Sequence, residues 1–337
     1  MIKLDITPYT LEDNEAALFL EEQCVQGKSL ALKYRRPTFH ARSEVYEKYR
    51  IICAKHDGKL VGISAWSEKN VTIHENPVRA AYAYDLRVLP AYRARGVALK
   101  IMKATLDDIL MQTDFIYTLI AGQNQVAFKL VRHMFGMKTV IPLTYIIIPV
   151  FKRLKSGKEY CPADAHEIHE KFLSGKSGWE MVPGFDVRRL KGYVMSFVEK
   201  QQGQAGCSLW TNENILAEQV VAVPKNLQVL RIAYAPLRLF MPLPAIPKRG
   251  DILKSWFLFD LYAASKEYLY ELLATVNNNA LDNHVQYLYI LLQNSDRLLD
   301  LISELGMRTF TLPYTFLCRP SGVLNESDNI YIDVRDI

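Results

Sequence analysis

The 337-residue chain is predicted to be an α/β (α+β) protein of two domains that repeat one pattern. Three observations lead there. Half of the residues are hydrophobic and 23% are charged, which suits packed domains, and the length exceeds that at which one core usually stops growing. Strand-like and helix-like segments alternate along the first half. The second half then repeats several landmarks of the first in the same order.

The elements of the first half follow in sequence. Ile2 to Ile6 reads as a short strand, and Thr10 to Gln23 as a helix opened by the capping-box pattern Thr10-Leu11-Glu12-Asp13. Gly27 to Arg50 is basic and irregular. Ile51 to Lys55 and Lys59 to Ser67 form a hairpin around His56-Asp57-Gly58, because Asp-Gly suits a tight turn. Ala80 to Val88 is a strand ended by Pro90. Leu99, Met102, Leu106, Ile109 and Leu110 recur at the helical period, giving a helix from Ala98 to Met111. Phe115 to Ala121 is a strand, Asn124 to Phe135 a helix closed by Gly136, and Val140 to Val150 a final strand. The charged run from Lys152 to Lys158 marks a boundary, so the domains are expected at 1–153 and 159–337.

The repeat is carried by particular residues. Gln123-Asn124 and Gln293-Asn294 each end an apolar strand. The same interval separates Asn124 from Gly136-Met137 and Asn294 from Gly306-Met307, with Lys138-Thr139 and Arg308-Thr309 following. Upstream, AYAYDLRV and WFLFDLYA share Asp85-Leu86 and Asp260-Leu261. Duplication explains this order; ordinary βαβ punctuation is the rival explanation.

Bulk properties exclude several classes. A formal charge of +5 is small for this length and does not call for nucleic acid. Cys24, Cys53, Cys161, Cys207 and Cys318 are widely spaced and odd in number, which fits reduced thiols and a cytoplasmic location. The N-terminus carries acids early and has no apolar h-region, so no signal peptide is expected. The greasiest stretch, Ile141 to Phe151, holds two prolines and is too short to span a bilayer, so no membrane partner is expected. His166 and His169 share a helix face with Glu170 nearby, but no third ligand is evident. They read as solvent-exposed, and no metal is expected.

The chemistry concentrates in Asp85 to Ala98. A strand ends at Pro90, a turn carries Arg93, Arg95 and Gly96, and a helix begins. Free N–H groups at a helix start favour an anion, Gly96 permits close approach to the backbone, and the arginines add positive charge. An ordinary strand–turn–helix with solvated arginines fits the same residues.

The segment resembles the GCN5-related N-acetyltransferase (GNAT) superfamily, whose signature Gln/Arg-x-x-Gly-x-Gly/Ala reads here Arg93-Ala94-Arg95-Gly96-Val97-Ala98 behind Val88-Leu89-Pro90. The likeness covers about Ile2 to Val150. It implies an acyl-CoA N-acyltransferase-like domain, a mixed and mostly antiparallel sheet flanked by helices, with acetyl-CoA as cosubstrate. The Arg93–Ala98 amides would hold the CoA pyrophosphate. Leu86, Arg87 and Val88 would offer backbone groups to the pantetheine arm and the acyl carbonyl. Asn124 matches the family's helix-opening Asn.

Many relatives carry a tyrosine in that last helix that protonates the leaving thiolate. Val131 or Arg132 stands there, so water or a tyrosine elsewhere, such as Tyr145, is expected to supply the proton. Asp85, on the central strand, is the first choice for general base; a purely structural Asp85–Arg87 pair on one strand face is the rival. Strand alternation puts Tyr84, Leu86 and Val88 on the other face. Glu21 and Glu22 read as helix surface, with a place lining the acceptor side as the rival. The second half offers no Gly at its matching turn and places Glu267 there, so it resembles a degenerate acetyltransferase-like domain that shapes the acceptor site. Pro236 to Pro247 reads as a loop over the cleft or on the surface. The expected activity is acetyl (acyl) transfer from acetyl-CoA to a primary amine of a small-molecule or peptide acceptor, by a monomer or homodimer. The alternative is a weak or inactive CoA-binding, regulatory protein of the same fold.

Overall fold

The computed structural model of the chain describes all residues except 1, 28, 29, 114, 177, 185, 186, 191, 192, 239 and 321, and also leaves out the side chains of residues 189 and 193. Thus residues 28 and 29 of the stretch read as irregular, and residue 239 of the Pro236–Pro247 loop, lie outside the described residues.

The first half runs β1 (Asp5–Pro8), α1 (Asn14–Glu22), β2 (Ala31–Arg35), β3 (Lys48–His56), β4 (Lys59–Ile73), β5 (Asn76–Val88), α2 (Val97–Leu110), β6 (Phe115–Ala121), α3 (Gln125–Phe135) and β7 (Thr139–Pro149). Local chemistry sets several boundaries. The Thr10 amide donates to Asp13 at 3.0 Å, the capping interaction expected ahead of α1. Asp57 and Gly58 take φ of +49° and +74°, as a tight hairpin turn requires. A second hairpin turns at His74-Glu75, with φ of +49° and +63°. Helix α2 lies close over β4 because Gly62 has no side chain: a Cβ there would meet Ile101 at 2.5 Å and Val97 at 2.9 Å. Asn124 caps α3 by accepting from the Ala127 amide at 3.1 Å, and Gly136 ends the helix at φ +65°.

The second half runs β8 (Tyr160–Ala163), α4 (Ala165–Ser174), β9 (Val182–Pro183), β10 (Tyr193–Glu199), β11 (Ala205–Thr211), β12 (Ala217–Ala222), α5 (Lys225–Leu237), β13 (Ile252–Leu253), β14 (Ser255–Ala263), α6 (Lys266–Asp282), β15 (Tyr287–Gln293), α7 (Arg297–Glu304) and β16 (Phe310–Arg319). The helix α5 reaches into the segment expected to be loop from Pro236.

One sheet per half is the sequence expectation. Instead the strands join into a single sheet in the order β1-β3-β4-β5-β6-β16-β7-β15-β14-β11-β10-β8, with β9 beside β4. The halves exchange strands: β16 enters between β6 and β7, and β7 lies between β16 and β15. A small second sheet, β13-β12-β2, also combines both halves. All pairings of named strands are antiparallel except β5 with β6 and β14 with β15. The fold is therefore α+β, mixed and mostly antiparallel. On one face α2 and α3 bury Met102, Ile109, Val131 and Phe135; α6 and α7 bury Leu269, Leu272, Leu273 and Ile302 on the second half.

Both parallel pairs behave alike. β5 pairs with β6 only as far as Tyr82, and β14 with β15 only as far as Leu258. Beyond these points each pair splays. A bulge follows in both: Asp85-Leu86 stand opposite the single residue Ser64, and Asp260-Leu261 opposite Cys207. The aspartates take left-handed φ of +53° and +49°. The Asp-Leu echo in the sequence is thus a repeated backbone device.

Candidate active site

Asp85 and Arg87 share a face and pair at 3.1 Å, as alternation expects, but the bulge corrects the place of Tyr84. Tyr84 and Asp85 are expected on opposite faces, yet Arg42 touches both, lying 5.2 Å from the Tyr84 ring centre and 3.4 Å from the Asp85 carboxylate. The left-handed residue inserts an extra step and turns Asp85 back toward its predecessor. Around it sits a buried ion cluster. Arg36 donates to Asp85 at 3.0 Å and to Glu21 at 2.7 Å. Arg87 lies 3.1 Å from both Asp85 and Glu21. Glu21 is therefore not helix surface: it is 1% exposed. Arg36 and Arg42 come from the stretch read as irregular, which forms β2 and a 3₁₀ turn at Phe39–Val45.

Three guanidiniums thus meet two carboxylates. Burial acts to raise the Asp85 pKa, but Arg36, Arg87 and Arg42 outweigh it and hold the carboxyl far below the usual range. Arg42 Nε and Arg87 Nε are buried with no hydrogen-bond partner among the described residues. The cluster has spare positive charge and spare donors beside the β5 bulge.

At the mouth of the β5/β6 splay lies the turn from Arg93 to Ala98. Ala94 and Gly96 both take left-handed φ, +59° and +81°. The amides of Ala94 to Leu99 have no backbone acceptor among the described residues. A Cβ on Gly96 would meet nothing within 4 Å, so the approach is open. Arg93, Ala94 and Arg95 are exposed. Free amides in alternating conformations at a helix start form an anion-binding concavity, and these residues fit a pyrophosphate. Arg93 also donates to the Val88 carbonyl at 3.3 Å, which ties the turn to the strand. Asn124 spends its side-chain oxygen on the α3 cap.

The matching place in the second half is closed. Ser265 caps α6 with its own side chain, accepting from the Tyr268 amide at 3.4 Å, and Glu267 pairs with Lys158 at 3.1 Å. Tyr331 fills the β14/β15 splay; its hydroxyl donates to Asp260 at 2.8 Å, and His169 Nδ1 lies 3.0 Å from the same carboxylate. His169 is therefore buried, not solvent-exposed. Its own burial acts to lower its pKa, but Asp260 outweighs this and raises it. A cavity of about 40 Å³ is what remains between Phe172, Trp179, Leu258 and Tyr331.

Tyr145 stands in a third place, the seam where the halves exchange strands. Its ring centre lies 5.1 Å from that of Tyr289 and 5.4 Å from that of Tyr314. Burial, with Tyr289 and Glu218 next, pushes its pKa well above 10. The Tyr289 hydroxyl donates to Glu218 at 3.2 Å. Glu218 is part-exposed and, among the described residues, pairs with no cation; burial raises its pKa. In the small sheet Glu218 stands opposite Tyr34, over whose ring the Arg87 guanidinium lies at 5.4 Å. Tyr34 links this tyrosine-rich seam to the ion cluster.

The matches with known proteins agree with this geometry. The family described as acetyltransferase (GNAT) domain matches residues 5–128. The chain has the acetyltransferase fold of the GNAT superfamily. Among solved structures, Saccharomyces cerevisiae N-myristoyltransferase with bound myristoyl-CoA aligns over 99% of this chain and 86% of its own, at 12% identity and a TM-score of 0.60. A GCN5-related N-acetyltransferase from Anabaena variabilis aligns over 94% and 72%, at 13% identity and 0.51. One from Kribbella flavida aligns over 93% and 70%, at 11% and 0.50. No curated protein sequence matches. No helix among the described residues is long and apolar enough to cross a membrane.

Proposed function

We propose that the chain transfers an acetyl or other acyl group from acyl-CoA to a primary amine of a small molecule or peptide. One observation carries the reading: the Arg93–Ala98 turn, with unsatisfied amides and left-handed Ala94 and Gly96, at the mouth of the β5/β6 splay. When bound there, acyl-CoA supplies an activated thioester carbonyl. Leu86, Arg87 and Val88 beside the bulge orient it. The acceptor nitrogen forms the amide bond as the carbon–sulfur bond breaks; the amine gives up a proton and the thiolate takes one.

Asp85 serves as a positioning residue rather than the base. A carboxylate held so low has little drive to take a proton, and a base works best with a pKa near the working pH. Glu218 suits that role better, because burial raises its pKa and no cation among the described residues pairs with it. Tyr145 keeps its proton at neutral pH and can hydrogen-bond the departing sulfur, but a phenol raised this far is too weak an acid to protonate a thiolate, so water supplies that proton. The halves 1–153 and 159–337 then share the work: the first holds the cosubstrate, and the second lends Glu218 to the acceptor side.

A second reading, a CoA-binding protein without turnover, draws on α3. Val131 is buried in the core and Arg132 lies over the Phe128 ring, so neither is a general acid. Measuring thiol release from acetyl-CoA over a panel of amines separates the two. Release with at least one amine, lost in Glu218→Gln with CoA affinity kept, supports the first. CoA binding with no release from any amine supports the second.

A further inference from the structure

The segment between β12 and β13 has no place in the reading above. Helix α5 contains no buried residue. Leu227, Arg231 and Tyr234 are its half-buried positions, so this side faces the body. The opposite side presents Val229 at 66% exposure and Ile232 at 70%. Phe240 at 85% and Met241 at 53% are exposed just beyond the helix in the chain. Isolated exposed apolar residues are ordinary, but several within one short stretch of chain mark a contact site.

Charge indicates what the contact takes. From Gln219 to Gly250 the chain has no Asp or Glu, but it has Lys225, Arg231, Arg238, Lys248 and Arg249. Removing these five from the 41 basic residues leaves 36, against 36 acidic ones. The whole net charge of +5 therefore resides in this one segment, and the rest of the chain balances. Lys225, Arg238, Lys248 and Arg249 are exposed. A protein partner of matching shape needs an acidic rim around an apolar centre. An anionic lipid surface offers both at once, acyl tails for the apolar side chains and phosphate groups for the basic ones. At 13 residues α5 is too short to span and suited to lie flat.

We propose that α5 and the segment to Gly250 form a peripheral docking surface for an anionic lipid bilayer. This departs from the sequence expectation of no membrane partner. It is independent of acyl transfer, so failure of either leaves the other standing.

Co-sedimentation of the full chain with vesicles tests it. Phosphatidylcholine vesicles containing phosphatidylserine should carry the protein down, and pure phosphatidylcholine vesicles should carry at least fivefold less. The double variant Ile232→Asp/Phe240→Asp should lower the bound fraction about tenfold, and Lys248→Glu/Arg249→Glu should do the same without touching the apolar face. Both pairs are exposed, so thermal melts should match the parent and separate lost binding from lost folding. Raising salt to about 0.5 M should weaken binding severalfold through screening. Absence of co-sedimentation overturns the proposal, as does equal binding by the variants. Light scattering showing a dimer that Ile232→Asp/Phe240→Asp dissolves, with no vesicle binding, also overturns it and assigns the surface to a second copy of the chain.

Discussion

Asparagine in place of Asp85 keeps the shape of the side chain and removes its charge. In the parent, Asp85 faces guanidinium nitrogens of Arg36, Arg87 and Arg42 at 3.0, 3.1 and 3.4 Å. At an effective dielectric of about 20, each such pair gains about 4 kcal/mol at 4 Å. Desolvation of four buried charges offsets most of that total. Losing one member of such a set nevertheless leaves its partners buried and unpaired, which typically costs about 3–5 kcal/mol. Here three cations would retain only Glu21. Asp85→Asn is therefore expected to destabilise the fold by roughly 3–5 kcal/mol, a large share of the usual total of about 5–15 kcal/mol.

Urea titration gives the magnitude, as a lower midpoint at constant slope. Its pH dependence identifies the cause. The folded-state pKa of Asp85 is depressed, so its stabilisation is present above the unfolded value of about 3.9 and is lost as pH falls toward the folded value. The gap between parent and variant should be full at pH 7 and shrink steadily below about pH 4. A variant as stable as the parent at pH 7, or a gap that stays constant into acid, refutes the ion-cluster account. Activity adds a second reading. A positioning role predicts a lower rate with an unchanged pH profile, whereas a general base predicts loss of the acid limb.

Three further outcomes follow from the same geometry. Gly96→Glu places a charged side chain on a left-handed residue at the anion site, and calorimetry should show CoA affinity reduced at least tenfold, or about 1.4 kcal/mol; unchanged affinity moves the site elsewhere. Tyr331→Ala should destabilise the chain by roughly 3–5 kcal/mol by emptying the second splay. CoA titration of both parent and variant should still give one site per chain, because the α6 N-terminus stays capped by Ser265. His169 has a raised folded pKa, so its charged pairing with Asp260 stabilises fully below about pH 6.5 and is lost as pH rises through the folded value. His169→Gln should flatten that alkaline decline in urea midpoints; an identical decline in the variant removes His169 from the account.

Short-range chemistry made much of the first half legible. The Thr10–Asp13 cap, the Asp57-Gly58 turn and the Asn124 and Gly136 helix ends are decided within a few residues, and each stands where the pattern puts it. The ion cluster was not legible, because its partners lie far apart in sequence: Arg36 meets Glu21 and Asp85 only after the chain folds back. One signal for it was present. Ala17, Leu20, Glu21 and Cys24 fall on a single helical stripe and all are buried, so Glu21 stands on the core side of α1. Alternation held for Asp85 with Arg87 and failed between Tyr84 and Asp85, because the count assumes an unbroken ladder and a bulge adds a residue. The repeated Asp-Leu pair marked both bulges without disclosing their φ. His169 read as exposed because its partner, Asp260, sits on a strand nearly a hundred residues away.

The exchange of strands brings side chains of both halves to one seam. β7 is an apolar strand whose two edges are taken by β15 and β16, both from the second half. β16 in turn closes the free edge of β6. Severed after residue 153, the first half would leave both edges of β7 and one edge of β6 unpaired, a template for aggregation. The join is therefore a shared core and not a contact of two finished surfaces. Side chains at the seam come from alternating origins as a result: Tyr145 from the first half, with Tyr289 and Tyr314 from the second. The small sheet repeats the arrangement above them, pairing Tyr34 of the first half with Glu218 of the second. The second half, whose own splay is plugged by Tyr331, meets the first by this route. Its matching helix start is capped by Ser265, and its strands β15 and β16 line the edges of β7 and β6.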